Sequence, residues 1–268
     1  MKEPLLTGMS PYTTPILGML HLPPLPGAPR YGGDMQAVID FALRDAETLT
    51  SSGVHGLIIE NFYDAPFFPD RVPPYVVAHM TRVAREVVQR VGVPVGINVL
   101  RNDGHAALAV AHAAGAAFIR VNILAGARVT DQGLIEGRAH TLLRERAALR
   151  AEHIRIFADV NVKHSMPLGR PRALEDEVRE TLERGGADAV IVTGRGTGLP
   201  TDVEDLQRAK VAAAGRPVLV ASGVNPDNIR DFLMHADGFI VGTALKADGP
   251  PPQPVDAGRV RALLERAR

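Results

Sequence analysis

The sequence predicts a single-domain (β/α)8 barrel over residues 1–268. Short apolar runs alternate eight times with longer segments of helical periodicity. Each apolar run is almost continuous, as in parallel strands that are covered on both faces. A length of 268 residues is normal for one closed barrel. Eight consecutive strand–helix units favour that barrel over an open, doubly wound sheet.

The elements follow one another without a linker or a fixed-period repeat. The predicted strands are residues 16–21, 56–60, 94–100, 117–121, 156–160, 189–192, 217–221 and 238–241. The predicted helices are residues 35–51, 75–90, 105–114, 138–151, 173–184, 202–213, 226–235 and 256–267. Asp34 and Asp103 are suited to cap the first and third helices, and Asn225 before Pro226 is typical of a helix start.

The composition excludes several classes of protein. The chain has no cysteine, which rules out disulfides, zinc–thiolate sites and cysteine nucleophiles. A net charge of +0 gives no sign of a nucleic-acid-binding surface or of a basic membrane-binding face. We expect neither a transmembrane segment nor a signal peptide, because the sequence contains no run of eighteen apolar residues and residues 1–15 contain no continuous apolar segment of the kind found in signal peptides. The expected location is therefore the cytoplasm.

Polar side chains gather after the predicted strands, at the end where (β/α)8 barrels carry their sites. The opposite ends carry plain turns such as Gly92-Val93-Pro94. A structural scaffold has no need of this one-sided polarity. The residues concerned are His21, Glu60, Asn61, Asn98, Arg101, Asn102, Arg120, Asn122, Asp159, Asn161, Lys163, His164, Thr193, Gly194, Arg195, Ser222, Gly223, Gly242 and Thr243.

Asp159, Asn161 and Lys163 form the centre of the predicted site. They alternate with Val160 and Val162, so a continuing strand would point all three polar side chains the same way. A lysine near a carboxylate is suited to act as a general base, a Schiff-base nucleophile or an electrostatic clamp. The alternative is an ion pair that closes the barrel mouth.

Glu60 and His21 complete the predicted catalytic set with Lys163 and Asp159. Glu60 ends an apolar strand and needs a partner, for which Arg120 and Lys163 are candidates. With Asp159 it is suited to acid/base work or to holding a divalent metal. We predict neither a metal nor a cofactor, since the sequence has no HxH or HExxH spacing. His21 is suited to proton transfer or to hydrogen bonding with a substrate, unless the neighbouring backbone satisfies it.

The loops after the seventh and eighth strands predict a phosphate site. Ser222 and Gly223 follow the seventh strand, and Gly242 and Thr243 follow the eighth. Glycines allow backbone N–H groups to approach an anion closely, and these two loops often hold phosphate in such barrels. The alternative is that they only make tight turns. Lys246 either assists the anion or is an exposed lysine.

Further residues are expected to contact the substrate. Gly194-Arg195-Gly196-Thr197-Gly198 is a glycine-rich loop that is suited to wrap the same phosphate or a ribose, although such loops are common between strand and helix. Polar residues of the neighbouring strands would orient hydroxyl groups. The predicted substrate-binding residues are Asn98, Arg120, Asn122, Asn161, Thr193, Gly194 and Gly196.

Two loops are long for simple strand-to-helix turns. Residues 61–75 concentrate the aromatic side chains Phe62, Tyr63, Phe67, Phe68 and Tyr75. Such a cluster indicates a subunit interface or a lid over a ligand, and the interface is the preferred interpretation. We therefore predict a homo-oligomer formed through this loop. Residues 122–137 are glycine-rich and are suited to form a second lid.

Several motifs together resemble one family. They are GMLHLPPLPGAPRY (18–31), GLIIENFYDAPF (56–67), VGINVLRND (95–103), ADVNVKHS (158–165), AVIVTGRGTG (189–198), SGVNPDNI (222–229) and GFIVGTALK (238–246). In this order they look like the BtpA/SgcQ family, and the resemblance covers nearly the whole chain. It implies a barrel similar to the ribulose-phosphate-binding type. Asn161 departs from the family, which commonly has histidine there.

The resemblance implies two kinds of function. One branch of the family is associated with photosystem I biogenesis at the thylakoid surface, which would allow peripheral membrane association. The other is linked to sugar or nucleoside processing. We predict an enzyme acting on a phosphorylated sugar or nucleoside-like molecule, with isomerisation, lyase chemistry and glycosidic hydrolysis left open. The alternative is an assembly factor that uses the barrel as a scaffold and residues 61–74 as its partner surface.

Overall fold

The computed structural model describes residues 14–170, 172–194, 201–249 and 251–268. Its strands in chain order are β1 (Ile16–His21), β2 (Gly56–Glu60), β3 (Val95–Asn98), β4 (Phe118–Val121), β5 (Ala127–Thr130), β6 (Gly133–Glu136), β7 (Arg155–Val160), β8 (Ser165–Pro167), β9 (Ala189–Thr193), β10 (Val218–Ala221) and β11 (Gly238–Val241). Eight of them form a closed parallel barrel in the order β1-β11-β10-β9-β7-β4-β3-β2. The predicted (β/α)8 barrel is confirmed.

Helices follow the barrel strands as expected. They are α1 (Met35–Ser51), α2 (Pro74–Arg90), α3 (Gly104–Ala114), α4 (Ala139–Ala148), α5 (Leu174–Arg179), α6 (Val203–Ala212), α7 (Ile229–Leu233) and α8 (Ala257–Arg266). Asp34 caps α1 by accepting from the backbone of Gln36 and Ala37, and Asp103 caps α3 by accepting from Ala106. A π-helical turn, Glu180–Arg184, continues α5. In the described part of the chain, no helix is long and apolar enough to cross a bilayer.

The seventh helix is shorter than predicted. We expected it to begin at Pro226, but α7 begins only at Ile229. The Asn225 side chain accepts from the backbone N–H groups of Asp227 and Asn228, which holds residues 225–228 in a turn. Asparagine often competes with helix hydrogen bonding in this way.

Three short strands form a separate antiparallel sheet in the order β6-β5-β8. β5 pairs with β6 as a hairpin and with β8 on its other side. The sequence analysis predicted a lid over residues 122–137 but not these strands, because the third strand comes from beyond β7. The sheet joins the loop after β4 to the loop after β7.

The barrel interior is apolar in its lower part. Leu17, Ile58, Phe118, Phe157 and Ile191 are fully buried there. The rings of Phe118 and Phe157 stack with centroids 4.7 Å apart. Strand side chains alternate between the interior and the helices, so the next inward position on each strand lies one layer higher. That layer carries the polar residues.

Candidate active site

A polar layer closes the top of the barrel interior. Two residues after the apolar positions Met19, Ile58 and Phe118 come His21, Glu60 and Arg120, and Asp159 and Thr193 occupy the same level on β7 and β9. The strand register pairs His21 with Glu60, and Glu60 with Asn98. Each of these polar side chains belongs to a buried residue. The prediction that strand ends converge on one interior face therefore describes their placement correctly.

Arg120 and Asp159 form a bidentate ion pair at the centre of this layer. Arg120 Nε donates to Asp159 Oδ1 at 2.9 Å, and Nη2 donates to Oδ2 at 2.8 Å. Asn122 donates a further hydrogen bond to Asp159 Oδ2 at 2.9 Å. Although burial opposes the charge, the carboxylate holds the pKa of Arg120 above its ordinary value. Asp159 is therefore occupied by protein donors, and its geometry suits the positioning of Arg120 better than proton transfer.

Asn98 extends the same network. Its amide donates to the Arg120 carbonyl at 3.1 Å and to Asn122 Oδ1 at 3.3 Å. Both asparagines are about 1% exposed. The described hydrogen bonds of Asn98 go to protein groups, whereas Asn122 also borders a cavity that Glu60, Arg120 and Lys163 line, where a substrate would reach it.

Glu60 is the carboxylate that faces the cavity. Oε1 lies 3.7 Å from His21 Nε2, and Oε2 lies 3.9 Å from Arg120 Nη1. Both distances are too long for hydrogen bonds. Burial raises the pKa of the Glu60 carboxyl, although Arg120 and Lys163 oppose the rise. A carboxyl whose pKa is raised towards neutral pH is suited to give and take protons.

Lys163 reaches the site by a different route from the one predicted. β7 ends at Val160, and Asn161 has a φ of 49°, so the period-two alternation stops there. Asn161 is exposed, and the expectation that it shares a face with Asp159 and Lys163 is wrong. The turn buries Val162 and leaves Lys163 Nζ 3.3 Å from Ser222 Oγ. Burial and the nearby Arg120 lower the pKa of Lys163.

His21 stands between Glu60 and the aromatic cluster of residues 61–75, which is called the aromatic loop below. Its ring stacks on Phe62, with centroids 4.3 Å apart. Burial lowers the pKa of His21 well below its ordinary value of 6.5, and the cations Lys246, Lys163 and Arg120 lower it further. The imidazole is therefore neutral near pH 7 and can donate or accept one hydrogen bond.

The loops after β10 and β11 border a cavity of about 350 Å³, whose walls also include Glu60, Arg120 and Lys163. Ser222 and Gly223 have φ angles of 71° and 66°. Among the described residues, the N–H groups of Gly223 and Thr243 donate to no backbone carbonyl outside regular strands and helices. A Cβ on Gly242 would lie 3.0 Å from His21 Cε1, so glycine keeps the cavity open there. This cavity is called the loop cavity below.

A second cavity of about 800 Å³ opens above the first and is called the mouth cavity. Glu60, Phe62, Arg120 and Lys163 line both. The walls of the mouth cavity that lie away from the loop cavity are partly aromatic and partly charged: Arg30, Tyr63, Phe67, Arg101, Asp131 and His164. The two cavities therefore meet at the polar layer.

Part of the aromatic loop lines the mouth cavity. Phe62 and Phe67 line its wall, as a lid residue would, whereas Phe68 is 45% exposed and Tyr75 is 41% exposed. The predicted interface therefore has two exposed aromatic side chains left to form it. The oligomer itself stays a prediction.

The remaining predicted site residues differ in their surroundings. Thr193 is buried, and its hydroxyl donates to the Asn161 carbonyl at 3.4 Å. Gly194 follows it, while Gly196 and residues 195–200 as a whole lie outside the described residues. Lys246 is neither an exposed lysine nor an anion ligand, because its Nζ lies 2.7 Å from Asp45 Oδ2 in a buried ion pair. In the described ranges, no group of three histidine, aspartate or glutamate side chains is placed to hold a metal ion.

Residues 12–268 match the model of the BtpA family. The chain belongs to the BtpA family. The protein named photosystem I biogenesis protein BtpA from Synechocystis is 49% identical over 251 residues, which cover 94% of this chain and 87% of that protein. An uncharacterized protein from Pyrococcus furiosus is 48% identical over 250 residues, which cover 93% of each chain.

Solved structures with the same fold are more distant in sequence. Phosphoribosyl anthranilate isomerase from Thermus thermophilus aligns with a TM-score of 0.55 and 14% identity, covering 94% of this chain and 97% of that one. The decarboxylase of 3-keto-L-gulonate-6-phosphate from Vibrio cholerae aligns with a TM-score of 0.57 and 14% identity, covering 96% and 98%. These likenesses show the barrel fold that the BtpA family shares with both enzymes.

Two residues of this BtpA-family site, Arg259 and Arg101, were not assigned a role from the sequence, and Phe62 was expected only at an interface or a lid. Arg259, in the first turn of α8, lines the loop cavity, and its Nη1 donates to the Lys246 carbonyl at 2.8 Å. Phe62 stacks on His21. Arg101 lines the mouth cavity and is 5% exposed. Arg101 carried a sequence signal because it follows a predicted strand, and Phe62 carried one because it belongs to the aromatic cluster of residues 61–75.

Proposed function

We propose that this BtpA-family protein is an enzyme that transfers protons on a phosphorylated sugar or nucleoside-like molecule. The observation that carries the proposal is the shared wall of the two cavities. Glu60, Arg120 and Lys163 lie where a molecule seated in the loop cavity would enter the mouth cavity. The substrate's phosphate would occupy the loop cavity, held by Ser222, Gly223, Gly242 and Thr243. The cytoplasm remains the proposed location.

The charges around the loop cavity support a bound anion. Lys163 has no carboxylate partner at ion-pair distance among the described residues, and its Nζ meets only the Ser222 hydroxyl. A partly buried ammonium without a counter-ion is unfavourable, which favours an anion beside it. The N–H groups of Gly223 and Thr243 would add donors that carry partial positive charge.

Glu60 and Lys163 are the proposed acid and base. Burial moves the pKa of Glu60 up and that of Lys163 down, so both approach the pH at which proton transfer is efficient. Neutral His21 would hydrogen-bond a substrate oxygen, and Arg120 would stabilise negative charge that develops on it. Asp159 would hold Arg120 in place.

This division of roles favours isomerase or lyase chemistry over glycosidic hydrolysis. Glycoside hydrolases generally need two carboxyl groups that are both available to the substrate. Here Asp159 is engaged by Arg120 and Asn122, which leaves Glu60 as the available carboxyl in the polar layer. A single acid with a nearby amine suits proton transfer next to a carbonyl.

The phosphate site can be tested by the thermal stability of the purified protein. A ligand that binds only the folded state raises the melting temperature, and a concentration of about 100 Kd adds roughly 2.7 kcal/mol. We expect inorganic phosphate and sugar phosphates to raise it. Gly223→Asp should abolish the shift, because it places a carboxylate at the proposed phosphate.

Gly215→Asp is the matched control. Gly215 has a φ of 94° and open space around it, and it precedes β10 at the other end of the barrel. The control therefore carries similar backbone strain and the same added charge. Equal losses in both variants, or no shift with any phosphorylated compound in the wild type, would contradict the phosphate site.

The catalytic roles need an identified substrate. We expect Glu60→Gln and Lys163→Met to reduce kcat by at least about 100-fold, since proton transfer by a positioned group contributes on that order. The melting-temperature shift with phosphate should persist in Glu60→Gln. Full turnover by Lys163→Met would remove Lys163 from the mechanism.

The second candidate function is that of an assembly factor. The 49% identity to the Synechocystis photosystem I biogenesis protein favours it. Phe68 is the cleaner probe of this alternative, because Phe67 also lines the mouth cavity. A scaffold should lose partner binding in Phe68→Ser and keep it in Lys163→Met. Partner binding that survives in Phe68→Ser would contradict the scaffold. A scaffold gives no reason for a partly buried ammonium without a carboxylate partner among the described residues.

A further inference from the structure

Arg101 differs from the other arginines that the structure buries. Arg120 pairs with Asp159, and Arg128 pairs with Glu177 at 3.1 Å. Arg101 is 5% exposed, yet none of the described carboxylates lies within ion-pair distance of its guanidinium. Its side chain makes one described hydrogen bond, from Nη2 to the Lys163 carbonyl at 2.9 Å. Most of its donors are thus left without a protein acceptor.

Such burial is unfavourable without a counter-ion. Removing a charge from water is costly unless a partner replaces the solvent. The loss of hydration is large enough to lower the pKa of Arg101, although Asp159, Asp131 and Glu60 lie close enough to oppose it. The fold therefore holds a cation at a position where a bound anion would be stabilised.

The surroundings of Arg101 indicate where that anion would come from. Arg101 lines the mouth cavity, which joins the loop cavity through Glu60, Arg120 and Lys163. A molecule with its phosphate in the loop cavity would pass these three residues before it reached Arg101. Phe67 and Leu100 add apolar surface to the wall of the mouth cavity. Charge-assisted hydrogen bonds are strongest in such sites.

We propose that Arg101 binds a second anionic group of the substrate, at the end of the molecule opposite its phosphate. The inference rests on the proposed function and names the substrate class for it. The substrate is a phosphorylated small molecule that also carries a carboxylate or a second phosphoryl group. Its reacting atoms lie between the two anions, beside Glu60 and Lys163.

The test measures dissociation constants by calorimetry with probes that differ in one group. Sorbitol phosphate has one anionic end, phosphogluconate adds a carboxylate at the other end, and fructose bisphosphate adds a phosphoryl group there. We expect the wild type to bind one of the two probes that have two anionic ends at least about tenfold more tightly than sorbitol phosphate. The probe that shows the gain identifies the second group.

Arg101→Met should remove this gain and leave the affinity for sorbitol phosphate within about twofold of the wild type. Arg128→Met is the control, because it removes a buried arginine that lines neither cavity. It should keep the gain. Circular dichroism verifies folding, and Arg101→Gln, which can still donate to the Lys163 carbonyl, replaces Arg101→Met if that variant does not fold.

Equal affinity of the wild type for all three probes would overturn the inference. An equal loss of affinity for sorbitol phosphate and for the probes with two anionic ends in Arg101→Met would also overturn it, because Arg101 would then act only through the position of Lys163. Gluconate, which has a carboxylate but no phosphate, distinguishes failure of the Arg101 site from failure of the phosphate site. If gluconate binds, depends on Arg101 and gains nothing from a phosphate, the Arg101 site stands and the proposed phosphate site does not.

Discussion

Arg120 and Asp159 show how a buried ion pair can organise a site without taking part in proton transfer. Their two hydrogen bonds and the third from Asn122 satisfy the carboxylate inside the barrel. Such a pair contributes little net stability, since both ions lose their hydration. Its removal is costly when only one partner goes, because the other charge stays buried and unpaired.

Asp159→Ala is therefore expected to destabilise the protein by about 3–5 kcal/mol. Glu47→Ala is the control, because Glu47 pairs with Arg90 at 3.1 Å on the surface, where both side chains are more than half exposed. That variant should change the free energy of unfolding by no more than about 1 kcal/mol. Urea denaturation measures both, and similar values would show that Arg120 finds other compensation.

His21 predicts a pH dependence of stability. The pKa of His21 in the folded protein lies well below 6.5, so on acidification the unfolded chain binds a proton that the folded chain does not. The contribution of neutral His21 to folding stability is therefore present above pH 6.5 and is lost as the pH falls towards the pKa of His21 in the folded protein. We expect His21→Asn to flatten the fall of the melting temperature below pH 6.5 relative to wild type.

His153→Asn serves as the control for this experiment, because His153 is exposed and lies outside the barrel. Its profile should follow the wild type. If His21→Asn also followed the wild type, the acid sensitivity would come from other groups.

β3 and β4 illustrate how one strand makes room for its neighbour. Gly96 of β3 pairs with Phe118 of β4, and the Phe118 ring fills the space that a side chain on Gly96 would need. A Cβ there would lie 2.1 Å from the ring. The Phe118–Phe157 stack below the polar layer depends on this gap.

Gly96→Ala should destabilise the fold by about 1–3 kcal/mol through overpacking. Gly92→Ala is the comparison, since a Cβ at Gly92 meets nothing within 4 Å. We expect that variant to unfold near the wild-type denaturant concentration. If Gly96→Ala were as stable as the wild type, the stacked rings would be able to shift without loss of folding free energy. The affinity for anions would then show whether the polar layer shifts with the rings.

The barrel as a whole brings together a loop cavity and a mouth cavity that no single element contains. Their common wall draws on β2, β4, the segment after β7 and the turn after Glu60. The exposed residue Phe68 lies in the same connection between β2 and α2 that supplies Phe62, and the exposed residue Tyr75 lies in the first turn of α2. An interface there would stabilise the wall of the mouth cavity.

We therefore expect light scattering to give a mass that is a multiple of the single-chain mass, and Phe68→Ser to reduce it. Exposed aromatic side chains are favoured at interfaces. Leu168→Ser, which changes a side chain 59% exposed beyond β8, is the control and should not change the mass. A wild type that runs as a single chain would refute the predicted oligomer.

The sequence by itself determined the barrel and the end that carries the site. Ile16–His21, Gly56–Glu60 and Gly238–Val241 have the predicted bounds, because strand periodicity and the glycines, prolines and caps around it are local signals. The polar residues at the upper ends of the strands were also predictable, since parallel strands place their carboxyl ends together.

Only the tertiary structure decided which of these polar residues are left free of protein partners and are available to a ligand. Asp159 meets Arg120 and Glu60 does not pair closely, although both are carboxylates at strand ends. The partner of Asp159 lies 39 residues away in sequence, beyond any local pattern. The left-handed turn at Asn161 removed that residue from the site while delivering Lys163 to it. Charge pairing and burial depend on contacts across the barrel, and those contacts are made only when the strands close on each other.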